Sequence, residues 1–116
     1  MKLIIAGGRN FENYDLLCEA VDKLTSTFSE VEIVSGGAKG ADLLGEHYAI
    51  DNNLQVKRFP ADWERYGKAA GFKRNAEMAQ YADQCICFWD GKSKGTSHMI
   101  NLAKKAGLTV TVVNYQ

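Results

Sequence analysis

The strongest constraint on the fold is the strict alternation of short apolar runs with helical patterns along the chain. Five runs rich in β-branched or aromatic residues lie at residues 3–6, 31–34, 56–59, 85–89 and 108–113, and this composition is typical of strands. Between the runs, apolar residues recur at helical spacing. Strands alternating with helices form a parallel sheet with helices on both faces. We therefore predict an α/β fold, a three-layer α/β/α sandwich with a five-stranded parallel sheet.

The positions of charged and polar residues within the runs predict the order of the strands. Central parallel strands are apolar on both faces, whereas edge strands tolerate polar residues. The third run carries Lys57 and Arg58, and the fifth interleaves Thr109 and Thr111 with valines, so we expect both at the edges. This favours the order 3-2-1-4-5. The flavodoxin-like order 2-1-3-4-5 is the alternative, but it would bury two charged side chains in the middle of the sheet.

The size and charge of the chain limit its class. The 116 residues, 46% hydrophobic and 24% charged, have the composition of a globular domain, and we expect residues 1–116 to form a single domain. Equal numbers of basic and acidic residues give no net charge, which argues against nucleic acid as a partner. No apolar run approaches the length of a membrane span, and the N-terminal run is too short for a signal peptide. We therefore expect a cytoplasmic protein.

The predicted topology also predicts where a ligand binds. In the order 3-2-1-4-5 the connections reverse direction between strands one and four, and open α/β sheets bind ligands in the crevice there. Four loops open onto this crevice, at residues 7–11, 35–42, 60–74 and 90–96. The first of them contributes Gly7, Gly8 and Arg9 to the predicted binding site.

The loop at residues 35–42 carries the strongest local signal, because three glycines cluster between a strand and a helix start. Glycines let the backbone approach a ligand, and the first amides of a helix favour a phosphate. The loop lacks the Gly-Lys-Ser/Thr of ATP-binding loops and the dinucleotide GxGxxG pattern. A tight turn with close helix packing is the alternative, a role that Gly45 could share. The residues predicted to bind here are Ser35, Gly36, Gly37, Ala38, Lys39, Gly40 and Asp42.

A second glycine-bearing loop, at residues 90–96, follows the fourth predicted strand and again precedes a helix. Its amides and the Thr96 hydroxyl would face the same crevice and donate to a phosphate. The alternative is a solvated turn in which Thr96 caps the helix. The residues predicted to bind here are Trp89, Asp90, Gly91, Ser93, Gly95 and Thr96.

The four loops together carry eight basic and four acidic residues, and a positive rim around one crevice attracts small anions. Aromatic residues at the same end could stack on a nucleobase. These residues are Phe11, Trp63, Tyr66 and Trp89. Trp63, beside Asp62, is the preferred candidate, and both residues are included in the predicted site.

No metal site is predicted. His47 and His98 lack Cys or carboxylate neighbours at metal-ligand spacing, and the three cysteines lack the paired spacing of a zinc site. We expect that no cofactor is required. Asp42, Asp62 and Asp90 could hold a magnesium ion that arrives with a bound phosphate, and helix capping is the alternative role of these carboxylates.

Several of these residues occur together in a pattern that matches a known family. The motifs are Ile4-Ala6-Gly7-Gly8-Arg9 with Phe11, the segment from Ser35 to Asp42, Arg74-Asn75 with Met78 and Ala82-Asp83, and Gly95-Thr96. Over nearly its whole length the chain resembles the SLOG superfamily, in particular the small single-domain branch related to YspA and cpYpsA. The resemblance implies a Rossmann-like fold. It also implies binding of nucleotides, nucleotide sugars or nucleic acid, and some members sense NAD-derived signals such as ADP-ribose cyclisation products.

The resemblance also implies roles for individual residues. The loop at residues 36–40 and the Gly95-Thr96 pair look like two phosphate loops. Arg74, next to Asn75, looks like the arginine that enzymatic relatives place against the ligand. The LOG phosphoribohydrolases of the superfamily also require a glutamate three residues after Gly-Thr, and here that position is Met99. Their preceding Pro-Gly-Gly is likewise replaced, by residues 89–91.

Three functions are consistent with these residues. The first is binding, sensing or sequestering of a small phosphorylated nucleotide or nucleotide sugar such as an ADP-ribose-like molecule. The second is hydrolysis of a nucleotide N-glycosidic bond, with Asp42 or Asp90 replacing the missing glutamate, because the ribose cation that forms needs a carboxylate nearby. The third is binding of single-stranded nucleic acid by the basic rim and aromatic residues. We also expect a homodimer or higher homo-oligomer, with a small nucleotide-type ligand and no membrane partner.

Overall fold

The structure is a computed structural model that describes residues 1–115, and it confirms the predicted alternation of strands and helices. The strands are β1 (Lys2–Gly7), β2 (Glu32–Ser35), β3 (Gln55–Arg58), β4 (Gln84–Trp89) and β5 (Thr109–Asn114). The helices are α1 (Tyr14–Thr25), α2 (Ala41–Asp51), α3 (Trp63–Tyr66), α4 (Ala70–Tyr81) and α5 (Lys94–Lys105), with a 3-10 turn at Gly67–Ala69. Among the described residues, no helix has the length and apolar character needed to cross a membrane.

The five strands form one parallel sheet in the order β3-β2-β1-β4-β5, so the predicted order is confirmed and the flavodoxin-like alternative is wrong. In β1, Ile4 is paired with Val34 of β2 on one side and with Cys85 of β4 on the other. All four residues of β3 are exposed, which explains why Lys57 and Arg58 are tolerated there. The charged strand is an edge strand because charge cannot be buried without a partner.

Each face of the sheet is covered by two helices and has its own apolar core. On one face, Leu3 and Ile5 pack with Leu17 of α1 and Ala49 of α2. On the other face, a second cluster joins strand residues to α4 and α5. That cluster includes Ile4, Val34, Cys85, Cys87, Met78, Met99 and Ile100. The alternation of inward and outward side chains along β1 therefore supplies both cores, as a strand buried on both faces must.

Two aromatic residues that fit the helical spacing do not join the core. Phe28 lies beyond the end of α1 and is exposed. Phe72 lies on α4 but is half exposed, with its ring 4.1 Å from the ring of His98. In α4 the buried face is instead formed by Ala70, Met78 and Ala79, because the first turns of this helix overhang the crevice.

Candidate functional site

A cleft of about 520 Å³ opens at the carboxyl ends of β1 and β4, where the direction of the connections reverses. The crevice is therefore where the topology predicts it. Twelve of the predicted binding residues line this cleft. They are Gly7, Gly8, Arg9, Ala38, Asp42, Trp63, Arg74, Asn75, Asp90, Ser93, Gly95 and Thr96. Its size is in the range of pockets that hold ligands as large as a nucleotide.

A second concavity, of about 410 Å³, adjoins the cleft, and we call it the glycine-loop groove. It lies between the loop after β2 and the loop after β3. Its lining residues are Arg9, Gly36, Gly37, Ala38, Lys39, Arg58, Pro60, Ala61, Trp63 and Arg74. Four of these residues also line the cleft, so the two concavities share a wall.

The remaining predicted binding residues lie outside both concavities and support the structure. Ser35 is fully buried. Asp62 caps α3 by accepting a hydrogen bond of 3.1 Å from the Arg65 amide. The indole of Trp89 donates to the Ser93 carbonyl oxygen at 3.1 Å. Gly40 and Gly91 have left-handed backbone conformations and form turns. Asp62 and the two glycines thus have the capping and turn roles given as alternatives, and a role of these five residues in binding stays a prediction.

The glycine loop after β2 satisfies much of its own backbone. The Gly37 amide donates to the Ser35 hydroxyl at 3.0 Å, and the Ala38 amide donates to Asp42 Oδ2 at 3.2 Å. Ser35 in turn donates to Glu46 Oε2 at 2.6 Å. The amides of Gly37 and Ala38 therefore already have partners within the loop, and their predicted contact with a phosphate stays a prediction. The carboxylate at the first turn of α2 reaches back to them, as a capping side chain does.

Arg74 connects α4 to the glycine loop. Its Nη1 donates to the Gly36 carbonyl oxygen at 2.5 Å, and its Nε donates to Asn75 Oδ1 at 3.1 Å. A methyl group added at Gly36 would lie 2.6 Å from Nη1 and 2.8 Å from Asp42 Oδ2. Position 36 is therefore glycine because the guanidinium and the carboxylate occupy the space that a Cβ would need.

Asp42 is the only acidic residue predicted at the site that the structure buries, with 5% of its surface exposed. Burial raises the pKa of Asp42 to about 6, and this effect outweighs the Ala38 amide and the positive charge of Arg74, which both lower it. Arg9 contributes a further, weaker lowering of the same pKa. The base of the cleft therefore holds a carboxylate near two arginines, and its protonation changes close to neutral pH.

Side chains of the second glycine-bearing loop also accept hydrogen bonds from amides of the same loop. Ser93, and not Thr96, caps α5, with Ser93 Oγ accepting from the Thr96 amide at 3.4 Å and from the Thr96 hydroxyl at 3.1 Å. Asp90 Oδ1 accepts from the Lys92 and Ser93 amides, each at 2.9 Å, and these bonds lower the pKa of Asp90. The amide of Gly95 lies in the first turn of α5, where amides have no partner within the helix. That amide is the part of this loop suited to an anion.

The residue that replaces the glutamate of the LOG enzymes lies in the cleft itself. Met99 lines the cleft and is almost completely buried in the second core cluster. At this position the cleft wall therefore has a thioether and no carboxylate. Asp42 and Asp90 line the same cleft, but the carboxylates of both accept hydrogen bonds from nearby backbone amides.

Of the four candidate aromatic residues, the structure leaves Trp63 available for stacking. Trp63 is 54% exposed and lines both concavities. Phe11 is buried, with its ring 4.7 Å from that of Phe88. Tyr66 lies outside both concavities, with the side chains of Arg65 and Lys73 over its ring. A base in the cleft would therefore meet the indole of Trp63.

Several residues that line the cleft were not singled out from the sequence. Asn10, Lys68, Gly71 and Phe72 line the cleft but were not predicted to bind. Lys68 and Gly71 lie in the predicted loop at residues 60–74, where the structure has a 3-10 turn and the first turn of α4. Phe72 fits the predicted helical spacing, which is typical of a core residue and not of a ligand contact. Asn10 faces the cleft while its Oδ1 accepts from the Tyr115 hydroxyl at 2.7 Å, a contact between residues far apart in the chain.

Within residues 1–115, no three His, Cys, Asp or Glu side chains converge as a metal-ligand set. Asp42 and Asp90 line the cleft, but Asp62 does not. His98 lies 3.3 Å from the Asn75 amide nitrogen, and burial lowers the pKa of His98. A magnesium ion accompanying a phosphate stays a prediction.

Comparisons with known proteins identify the family. Residues 1–66 match the model of the YspA, cpYpsA-related SLOG family. Over 94% of its length the chain is also 35% identical to the Gene 61 protein of Mycobacterium phage D29, and the match covers 93% of that protein. The chain belongs to the YspA, cpYpsA-related SLOG family. The predicted resemblance is therefore confirmed.

The fold of this SLOG-family chain matches that of the DNA processing protein A, DprA, from two bacteria. The match to Streptococcus pneumoniae DprA has a TM-score of 0.75 with 19% identity and covers 99% of this chain and 50% of that one. The match to Helicobacter pylori DprA has a TM-score of 0.71 with 20% identity and covers all of this chain and 66% of that one. The chain thus spans about half to two thirds of the DprA chains. The Rossmann-like fold is confirmed.

The DprA comparison contradicts the prediction against nucleic acid as a partner. The H. pylori protein is described as having a single-stranded DNA binding mode, so the same fold is used by a protein that binds DNA. Net charge was a poor criterion because it averages over the whole surface, whereas an anion responds to the local charge of a groove.

Proposed function

We propose that the cleft binds a phosphorylated nucleotide, with Arg9 and Arg74 contacting the phosphate and Trp63 stacking on the base. The single observation that carries this proposal is the convergence of both arginines and the first turn of α5 on one cleft. A guanidinium offers five donors in a planar fork that fits phosphate geometry. The first amides of a helix add donors and a favourable dipole.

Arg74 is held in a position suited to this role. Its bonds to Gly36 and Asn75 use two donors, which leaves three for a ligand. These bonds also fix the orientation of the side chain, so less conformational entropy is lost when a ligand binds. Asn75 is itself buried and lies 3.5 Å from the Gly95 carbonyl oxygen, linking Arg74 to the start of α5.

Binding without turnover fits the cleft better than hydrolysis. N-glycoside cleavage needs a carboxylate close to the ribose to stabilise positive charge. Met99 occupies the position of that glutamate, and the hydrogen bonds accepted by Asp42 and Asp90 hold their carboxylates to the backbone. We therefore propose that the protein binds, senses or sequesters its ligand. An ADP-ribose-like molecule is the first candidate, and a homo-oligomer stays a prediction.

Isothermal titration calorimetry of the full chain tests the proposal. We expect AMP and ADP-ribose to bind, and adenosine, which lacks a phosphate, to bind much more weakly. Arg74→Ala should weaken binding of AMP by roughly tenfold or more, since a hydrogen bond to a charged group contributes about 1.5–3 kcal/mol. Arg65→Ala is the matched control because Arg65 lies outside both concavities. Equal affinity of the wild type and Arg74→Ala would contradict the proposal.

Turnover is checked in the same samples by chromatography. If the protein only binds, AMP is recovered intact after prolonged incubation. Release of adenine and ribose 5-phosphate would instead establish the hydrolase function. In that case Asp42→Asn and Asp90→Asn would show which carboxylate replaces the missing glutamate.

Binding of single-stranded nucleic acid is the second candidate function. The observation that favours it is the continuity of the cleft with the glycine-loop groove along their shared wall. An open, positively charged path with an exposed aromatic residue is the arrangement that strands use. Affinity that rises with oligonucleotide length and falls steeply with salt would support this function. An affinity for oligonucleotides no greater than that for AMP would rule it out.

A further inference from the structure

The glycine-loop groove differs from the cleft in the charge of its lining. Four basic side chains face it, those of Arg9, Lys39, Arg58 and Arg74, and the lining has no carboxylate. Two acidic residues lie behind these side chains, Glu46 against Arg58 and Asp42 near Arg74. Even with both counted, the groove has two more positive than negative charges. A concave, locally positive surface attracts anions.

Arg58 is fixed in this groove by contacts on two sides. Its Nε donates to Glu46 Oε2 at 3.0 Å, and its Nη2 donates to Glu46 Oε1. The Glu46 side chain is 15% exposed and also accepts the hydroxyl of Ser35. The aliphatic part of Arg58 packs along the glycine loop, since a Cβ added at Gly37 would lie 3.4 Å from Arg58 Cδ. Glu46 uses two of the five guanidinium donors and leaves three.

The need for a charged residue on an edge strand does not by itself explain Arg58, because the neighbouring Lys57 already supplies one. Charged side chains protect edge strands from pairing with other chains, and Lys57 can serve that purpose. Adjacent residues of a strand point to opposite faces of the sheet, and Lys57 lies over the ring of Phe59, away from the groove. Arg58 alone of this pair faces the glycine loop.

We propose that the glycine-loop groove is a second anion subsite, in which Arg58 and Lys39 bind a second phosphate of an extended nucleotide. This inference rests on the proposed function, because the first phosphate lies in the cleft. The shared wall contains Arg9, Trp63 and Arg74, so one ligand can contact both subsites. The ligand class is therefore a nucleotide with a second phosphate group, joined through a diphosphate or through a phosphodiester.

The test compares ligands that have one and two phosphate positions. We would measure by calorimetry the affinity of the full chain for AMP, for ADP-ribose and for a 5′-phosphorylated adenine dinucleotide. Arg58→Gln and Lys39→Gln should each weaken the two-phosphate ligand about tenfold and change AMP affinity less than about threefold. Lys57→Gln, on the same strand, should change neither.

The outcomes separate this inference from the proposed function. The second subsite would be overturned if both variants weakened the binding of AMP and of the longer ligands equally. It would also be overturned if neither variant weakened the binding of any ligand. In both cases the cleft proposal would stand. Absence of AMP binding to the wild type would overturn both. If the variants lose affinity only for ADP-ribose, the ligand has a diphosphate. If they lose affinity only for the dinucleotide, the ligand has a phosphodiester. The Lys39 side chain is exposed, so Lys39→Gln stays informative if Arg58→Gln folds poorly.

Discussion

The guanidinium of Arg74 lies 2.5 Å from the carbonyl oxygen of Gly36, so a helix and a loop that are 38 residues apart in the chain meet at one hydrogen bond. This bond places the charged group at the shared wall of the cleft and the glycine-loop groove. The absence of a side chain at position 36 is what makes room for it. The contact between Arg74 and Gly36 therefore determines the geometry of the wall that the two concavities share.

Gly36→Ala should weaken nucleotide binding through Arg74. The added methyl group would lie 2.6 Å from Nη1, and the long side chain can move away more easily than the loop can. We expect AMP affinity to fall about tenfold. The added group would also lie 2.8 Å from the buried Asp42 Oδ2, so the free energy of unfolding should fall by about 1–3 kcal/mol. A double-mutant cycle with Arg74→Ala checks the mechanism, because the two effects should not add. Additive losses would show that Gly36 acts independently of Arg74.

Two glycine-to-alanine substitutions in helices should have opposite effects on stability. Gly45 of α2 is buried, and a Cβ there would lie 2.8 Å from Ile5 Cβ in the core, so Gly45→Ala should destabilise by about 1–3 kcal/mol. Gly95 of α5 is exposed and a Cβ there meets nothing within 4 Å. Gly95→Ala should therefore be neutral or stabilise by up to about 1 kcal/mol, as alanine favours helix. Urea denaturation of both variants measures the difference.

Asp42 should make the protein less stable as the pH rises from about 4 to about 6. Its pKa is raised from 3.8 to about 6, so the folded state holds the proton more tightly than the unfolded state does. Stability is then greatest below the unfolded pKa and is lost as the pH rises through the folded pKa. At pH 8 Asp42→Asn, which keeps an acceptor for the Ala38 amide, should be more stable than the wild type by up to about 3 kcal/mol.

Urea denaturation of wild type and Asp42→Asn at several pH values tests this expectation. The difference between the two free energies of unfolding removes the contribution of the other carboxylates, which titrate in both proteins. The difference should grow between pH 4 and pH 6 and stay constant above. A difference that does not depend on pH would mean that Asp42 titrates normally.

Ligand binding should change the fluorescence of one of the two tryptophans. Trp63 is half exposed at the mouth of the cleft, whereas Trp89 lies outside it and is held by the Ser93 carbonyl oxygen. We expect ADP to quench the emission of the wild type and of Trp89→Phe, and to leave the emission of Trp63→Phe unchanged, because stacking needs direct contact with the base. Quenching that persists in Trp63→Phe would place the base elsewhere.

The strand order could be predicted because it depends on the polarity of the residues within each strand. Lys57 and Arg58 are incompatible with a central strand, and the apolar residues of β1 and β4 are compatible with one. The position of the cleft then follows from the order alone. The same reasoning located most of its lining, since glycines and helix starts at the ends of strands are visible in the sequence.

The partners of individual side chains could not be predicted. Ser35 follows a strand and precedes a glycine, as a ligand-binding serine would, but it bonds to Glu46 and the loop. Ser93 and Thr96 are both suitable helix caps, and the choice between them depends on the path of the preceding turn. Such choices depend on three-dimensional distance, for which a single sequence contains no periodic signal.

Two opposite walls of the cleft come from distant parts of the chain, and this bears on how the protein folds during synthesis. Gly8 and Arg9 follow β1, whereas Gly95 and Thr96 lie at the start of α5, and the central pairing joins Leu3 to Gln84. A ribosome that has released only the first half of the chain has therefore made one wall of the site without the other. Ligand can assist folding only after α5 has emerged, when it stabilises the complete sheet by binding the native state alone.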